Sequence, residues 1–240
     1  MQLYDMHCHI DLVDNMVDFA LLLEKMGIGA FTVTTTPKAF EVENRVLKRF
    51  SNLKVGLGLH PQLISSRYDE IAMIERYIHN QKYIGEIGLD YGKKFYFSKE
   101  RQKIAFEKIM YMCSSGNKVI SIHSAFAASD ILEIISKYNS ATNNVCILHW
   151  FSGTNKQLQK AIELGCYFSI NESMLQRGNL NISQIPVDRI LVETDYPFIS
   201  RVRNSQEIYD SLLECLRRLN IVMGKDIMDT VSESSKKILL

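Results

Sequence analysis

A single (β/α)8 TIM barrel is the fold class this sequence predicts, and three observations predict it. Short runs rich in β-branched residues alternate eight times with amphipathic helical stretches, the pattern of parallel strands joined by crossover helices. The 240 residues suit one domain, 1–240, because such barrels run to about 200–250 residues. Histidines and carboxylates gather where the strand-like runs end, and that face of a barrel is the one on which sites are built. A doubly wound sheet shares the alternation and is the runner-up; no glycine-rich phosphate loop follows the first strand-like run, which counts against it.

The elements follow in order. Gln2–His7 is the first strand, and Val17–Met26 the first helix, stopped by Gly27 and Gly29. Ala30–Thr35, dense in β-branched residues, is the second strand, followed by a helix over Lys38–Phe50 after Pro37. Leu53–His60 ends at Pro61 as the third strand and precedes a helix over Asp69–Ile78. Lys82–Ile87 is the fourth strand, and Ser98–Cys113 a long helix with Ser98 as its N-cap. Lys118–His123 and Asn144–His149 are strands five and six, each followed by a helix, at Ala127–Tyr138 and Asn155–Leu164. Cys166–Ile170 is strand seven, the weakly patterned Glu172–Ile185 is left as short helix or loop, and Arg189–Glu193 is strand eight. Gln206–Leu219 and Asp226–Ile238 close the chain as helices.

Charge and cysteine content narrow the function classes. With 28 basic and 27 acidic residues, the chain is not a strongly basic nucleic-acid binder, so a polyanion would have to be held locally or through metal ions. The five cysteines include no Cys-x-x-Cys pair and sit mostly in apolar runs, which suits buried free thiols in a reducing cytosol. No signal-peptide pattern and no membrane span is read from the sequence, so a cytoplasmic location is expected.

The chemistry lies at the strand ends. His7 and His9 are one residue apart, and positions i and i+2 of a strand share a face; Asp5 has the same parity, and Cys8 between them points away. His60, His123 and His149 also stand at strand ends, whereas His79 falls on a helix as a surface residue. Glu86 interrupts an apolar strand, where a carboxylate is costly unless paired or metal-bound. Glu193 and Asp195 share a face after strand eight. Asp90 fits a turn as well as a site, and His60 fits a metal contact as well as a hydrogen bond to a ligand. His7, His9, Glu86, His123, His149 and Asp195 are more donors than one tetrahedral structural zinc needs and enough for a site with two divalent ions. Such mixed nitrogen and oxygen donors suit zinc or manganese and admit magnesium.

Together these motifs resemble the TatD-type metal-dependent deoxyribonucleases. The resemblance is carried by Asp5-Met6-His7-Cys8-His9-Ile10-Asp11, Gly58-Leu59-His60-Pro61, Gly85-Glu86-Ile87-Gly88-Leu89-Asp90-Tyr91, Gln102 with Phe106, Ile122-His123-Ser124, Leu148-His149-Trp150-Phe151-Ser152-Gly153 and Glu193-Thr194-Asp195-Tyr196-Pro197. It implies that His7, His9 and Glu86 hold one metal and that Glu86, His123 and His149 hold another, with Glu86 as the bridge. It further implies that Asp195 binds metal and activates the attacking water, that His60 lines the phosphate side, and that DNA is the substrate. Trp150 and Arg203 are the further substrate-binding residues expected. One position departs from the family: an arginine is usual two residues after the fifth-strand histidine, and Ala125 stands here, which removes a phosphate clamp; Arg201 or Arg203 is a candidate replacement. The stretches Thr34-Thr35-Thr36-Pro37 and Gly58-Leu59-His60-Pro61-Gln62-Leu63 are similar to the TatD-like nuclease components, QatD, of Qat anti-phage defence systems. That similarity implies a bacterial defence setting with companion proteins. Two rival functions share the motifs: hydrolysis of a small amide, lactone or deaminase substrate, and a subunit serving assembly of a complex.

Overall fold

The computed structural model describes residues 1–178, 180–198 and 205–240. Strands β1 (Tyr4–Cys8), β2 (Gly29–Val33) and β3 (Leu53–Gly56) form one parallel sheet in that order. A second parallel sheet runs β4 (Tyr83–Asp90), β5 (Val119–Ala125), β6 (Val145–His149), β7 (Tyr167–Ile170) and β8 (Ile190–Val192). Two seams join them into a closed barrel. At the first, Leu57 N donates to Tyr83 O and Gly85 N to Leu57 O, both 3.0 Å. At the second, Asp195 N donates to His7 O at 2.9 Å and His9 N to Tyr196 O at 2.8 Å. The predicted (β/α)8 barrel is therefore the fold, and the doubly wound alternative is not.

Helices α1 (Met16–Lys25), α2 (Pro37–Leu47), α3 (Ile64–Arg67), α4 (Ile71–Tyr77), α5 (Lys99–Cys113), α6 (Ala128–Asn139), α7 (Asn155–Glu163), α8 (Glu172–Arg177), α9 (Ser205–Met223) and α10 (Met228–Leu239) connect the strands and close the chain. Local chemistry starts several of them. The Asn15 side chain accepts from Asp18 N at α1, Thr36 accepts from Ala39 N ahead of Pro37 at α2, and Thr154 with Gln157 forms a capping box at α7. The weakly patterned stretch resolves into α8, capped by Asn171 and stopped by Gly178 at φ 61°. Ser98 precedes α5 but does not cap it with its side chain. Its hydroxyl donates to Phe95 O at 2.9 Å and accepts from Gln102 Nε2 at 3.0 Å, so the expected N-cap is spent on fixing the β4–α5 loop.

Two apolar clusters hold the barrel. The larger packs the helices on the outer strand faces, with residues such as Ile84, Phe106, Ile120, Ile131, Leu148 and Leu212. The smaller fills the interior with alternate strand residues: Tyr4 and Met6, Phe31 and Val33, Val119, Ile147 and Leu191. Ile238 and Leu239 of α10 join this inner cluster, so the last helix covers the end of the barrel opposite the histidines. Cys8 lies in the outer cluster, as its parity predicts, and burial pushes its thiol well above the usual range. The cysteines are all free and buried.

Simple alternation fails along β1. Met6 belongs to the inner cluster, yet the next side chain, His7, also turns inward to reach Ser121 on β5. The register slips between Asp5 and Cys8, and the irregularity gives His7 and His9 the inner face at the barrel mouth. Asp5, expected on the same face as the histidines, instead closes the second seam. Its Oδ1 accepts from Thr194 N at 3.0 Å, and its Oδ2 accepts from the Thr194 hydroxyl. Burial pushes its carboxyl up to about 7 against those hydrogen bonds. Removing this acceptor leaves the buried Thr194 donors unpaired, so Asp5→Ala is expected to cost about 1–3 kcal/mol. Chemical denaturation of the two proteins measures it.

A second buried carboxyl lies between β2 and α2. Glu43 is fully buried; it accepts from the Thr32 hydroxyl, while Oε2 has no partner. Burial pushes its pKa from 4.5 up to about 8, so the folded protein keeps a proton that the unfolded chain releases. Between these two values the native state binds more protons, and stability falls as pH rises through that window. Glu43→Gln, neutral at every pH, is expected to flatten this fall. Urea midpoints of both proteins from pH 5 to pH 8 test it, and parallel slopes would refute the assignment.

Candidate metal centre

Glu86 sits at the centre of the barrel mouth, and its place is fixed by backbone woven from three strands. Glu86 N donates to Thr34 O at 3.1 Å, Leu59 N donates to Glu86 O at 3.0 Å, and the Thr34 hydroxyl accepts from Gly58 N at 3.1 Å. A Cβ at Gly58 would run into the Thr34 carbonyl oxygen and the Glu86 backbone nitrogen, so this close approach requires glycine. The Glu86 side chain is 1% exposed.

Around it the structure brings together the predicted donors. His7 Nε2 and His9 Nε2 lie 3.3 Å apart. They face Glu86 Oε2 at 3.6 and 3.3 Å and Asp195 Oδ1 at 3.8 and 3.6 Å. His60 Nε2 approaches Glu86 Oε2 at 3.4 Å, and His123 Nδ1 approaches Oε1 at 2.7 Å. His149 Nε2 lies 3.9 Å from Glu86 Oε1 and 3.9 Å from Asp195 Oδ2. Two donor sets have ligand atoms within 4.8 Å of one another around the Glu86 carboxylate: His7 with His9 and Asp195, and Glu86 with His60 and His123. His60, for which two roles were open, thus stands among the donors, while the His123 ring is held between Glu86 and Asp90.

Each imidazole is steered from behind. His7 Nδ1 meets Ser121 Oγ at 2.7 Å. His9 Nδ1 lies 3.6 Å from Asp11 Oδ1, and Asp11 is itself anchored by Thr35 N and the Thr35 hydroxyl at 2.9 and 2.8 Å. His123 Nε2 lies 3.2 Å from Asp90 Oδ2, which also accepts from Gln62 Nε2 at 2.7 Å. Gln102 brackets the Asp90 backbone, accepting from its N–H at 2.7 Å and donating to its carbonyl at 3.0 Å; this explains the glutamine on the helix after strand four. His149 Nδ1 pairs with Glu193 Oε2 at 2.9 Å, and Glu193 accepts further from the Ser169 hydroxyl and from Asn171 Nδ2. Glu193 therefore stands behind His149 rather than beside Asp195. A carboxylate on the far nitrogen is the usual arrangement for a metal-ligating histidine. Spacing singled out Asp90 and Glu193 without their partners and gave no signal for Ser121, because the histidines they hold lie on other strands.

The electrostatics suit a bound cation. Burial pushes the Asp195 carboxyl up to about 7, with nearby His149 and His9 opposing it. Glu86 is held well below the usual carboxylate range despite burial, by His60, His7 and His123. His7 is pushed well below its usual range by burial and by His149, which keeps its nitrogens free to ligate. For His9, burial is outweighed by Asp11 and Glu86, lifting it to about 10; for His123, Asp90 and Glu86 do the same, to about 9. The carboxylates thus draw positive charge into a buried site. His9 Nδ1 and Asp11 Oδ1 are buried without hydrogen-bond partners. Imidazole nitrogens and carboxylate oxygens converging in this way fit divalent metal ions, and His7, His9, Glu86, His60, His123, His149 and Asp195 are the residues that would hold them.

The centre opens into a cleft of about 750 Å³ whose lining includes His9, His60, Glu86, His149 and Asp195. Trp150, expected to bind substrate, is at its wall, as is Ala125. Asp195, Trp150 and Phe126 adopt left-handed backbone, with φ of 52°, 40° and 55°, a conformation uncommon for non-glycine residues. Arg201 and Arg203 lie outside the described residues.

A family model described as TatD related DNase matches residues 4–239. The chain belongs to this family. It is a TatD-type metal-dependent hydrolase, and its neighbours agree. An uncharacterized metal-dependent hydrolase of Buchnera aphidicola is 27% identical over 232 residues, spanning 89% of this chain and 87% of that one. The human protein named deoxyribonuclease TATDN3 is 22% identical, over 98% and 94% of the two chains. The crystal structure of YJJV, a TatD homolog from Escherichia coli K12, superimposes with a TM-score of 0.83 at 17% identity, covering 99% and 97%; at that identity it supports the barrel fold. No helix among the described residues is long and apolar enough to cross a membrane.

Within this TatD-type centre, Glu193→Ala releases His149 from its only carboxylate on Nδ1. Metal affinity is expected to fall about 10–100-fold, read as metal retained against a competing chelator. Retention equal to that of the unaltered protein would show that Glu193 does not support the centre.

Proposed function

We propose that the protein hydrolyses phosphodiester bonds of DNA, as a metal-dependent exonuclease acting on single-stranded ends. The observation that carries this reading is the position of Asp195: a buried carboxylate facing His7, His9 and His149, at the floor of a cleft that opens to solvent past Trp150. Bound divalent ions would supply charge neutralisation on the phosphate and a lowered pKa for the attacking water. The chain's own residues do the rest. Asp195, whose carboxylate oxygens face His7, His9 and His149, would accept the proton of that water. Glu86, a member of one donor set, faces His7 and His9 of the other. His60, which lines the cleft beside Glu86, faces the phosphate oxygens. The inner apolar cluster closes the barrel beneath the site, so substrate enters from the mouth alone.

Several features support DNA over a small amide or lactone. The cleft is open, with an arginine, Arg177, and the exposed ring of Phe126 at its rim, where a small-substrate enzyme encloses its ligand. The balanced charge of the chain favours a short strand end over a long duplex footprint. The human relative carries the name deoxyribonuclease. An anti-phage setting with companion proteins and a cytoplasmic location rest on the sequence motifs described above, two metal ions on the donor count.

Labelled single-stranded DNA incubated with Mg²⁺ or Mn²⁺ is expected to be digested from its ends, and a chelator to stop the reaction. Glu86→Ala and Asp195→Asn are expected to lose at least about a hundredfold in rate, the usual cost of removing such a group. Undiminished digestion by either variant, or no metal-dependent cleavage by the unaltered protein, would sink the proposal. Metal content measured alongside separates a lost ligand from a lost base.

A further inference from the structure

The family's usual arginine after the fifth strand is absent, and the described cleft shows what stands in that region. Ala125 contributes no charge, and the next residue, Phe126, turns outward and is 84% exposed. Helix α8 ends on Arg177, whose side chain also lines the cleft. Its guanidinium carbon lies 5.6 Å from the centre of the Trp150 ring. Among the described residues lining the cleft, Arg177 is the only lysine or arginine. It makes no ion pair or hydrogen bond among the described residues, so its donors are free to bind a ligand.

This arrangement has a physical logic. A guanidinium placed over an indole is attracted to the ring face and loses side-chain freedom before any ligand arrives. Its edge N–H groups stay available in the ring plane and match the oxygens of a phosphate two at a time. Trp150 is itself held off the ordinary backbone region at φ 40°, and its ring packs edge-on against the His149 ring at 6.2 Å between centroids. The cation is thus tied through one aromatic contact to a residue of the metal centre. Gly178, left-handed at φ 61°, ends α8 immediately after the arginine, which fixes where the side chain starts.

We propose that Arg177, held over the Trp150 ring, is the phosphate clamp of this enzyme: it binds a backbone phosphate of a DNA strand next to the one being cleaved, in place of the cation missing at Ala125. The exposed Phe126, which also lines the cleft, offers a face for a base of the same strand. The clamp gives the centre a preference for substrates carrying a second phosphate beyond the scissile one, over isolated phosphate esters. This deepens the hydrolase reading and rests on it.

The sequence contains one tryptophan, and it is Trp150, so its emission reports on this wall and no other. The experiment titrates a five-residue oligothymidylate into the metal-loaded Asp195→Asn protein, with and without Arg177→Ala, while following that emission. Arg177→Ala is expected to weaken binding about tenfold, the worth of a charged hydrogen-bond pair. It should also reduce the salt dependence of log K by about 0.7, one phosphate contact on a single strand, with the melting temperature unchanged because Arg177 is at the surface. Arg177→Lys is expected to restore the salt dependence and only part of the affinity, since it keeps the charge and loses the fork. Equal affinity and salt slope with and without Arg177, or no change in Trp150 emission on titration, overturns the clamp. Cleavage by the otherwise unaltered protein decides the two ideas separately. If it binds the oligonucleotide through Arg177 but does not cut it, the hydrolase reading falls and the clamp stands. If Arg177→Ala cuts subsaturating oligonucleotide at the full rate, the clamp falls and the hydrolase reading stands.

Discussion

Glu86 carries its charge where water barely reaches it, and an ion in such a place has to be compensated by groups fixed around it. Imidazoles from four other strand ends provide that compensation, and each of them in turn needs something to hold its far nitrogen or its ring. Ser121, the Gln62 backbone N–H, Asp90 and Glu193 take that part. Much of the mouth of the barrel can be traced outward from one carboxylate in this way. The backbone is subordinate to the same demand: Gly58 is a glycine because Thr34 and Glu86 pass so near it.

The regular part of the fold and the chemical part separate cleanly along the strands. Towards their beginnings, alternate side chains fill the interior with Tyr4, Phe31, Val119 and Ile147, and hydrophobic burial sets which way each strand faces. Towards their ends the regularity gives way. β1 slips register, and Phe126, Trp150 and Asp195 enter left-handed backbone. The inner cluster supplies the stability against which these departures are tolerated, and the departures aim the side chains.

The strand order, the barrel and the convergence of His7, His9, Glu86, His123, His149 and Asp195 were legible in the sequence because they depend on period and on position along a strand. Cys8 was legible for the same reason. Asp5 was not, because a slip of register inside β1 defeats a strict period of two and turns a predicted neighbour of the histidines into a seam clasp. Glu193 was half legible: its spacing from Asp195 suggested a shared role, but its partner His149 lies on another strand, and only the fold shows it standing behind that ring. Ser98 carried a capping signal that the loop before α5 uses otherwise. Arg177 gave no signal, since it lies in the least patterned stretch of the chain and matters through a contact with Trp150 that no local rule encodes.

The clasp between Asp5 and Thr194 joins residues 189 positions apart. The donors are divided by the same seam: His7 and His9 belong to the sheet made first, His149 and Asp195 to the sheet made last. On a ribosome, therefore, the first three strands and the turns that follow them emerge carrying three imidazoles, those of His7, His9 and His60, and no carboxylate partner from β4 or the end of β8. A growing or truncated chain holds only fragments of the donor set, and the last part arrives with the strand that shuts the barrel. The donor set is complete only once synthesis has passed Asp195.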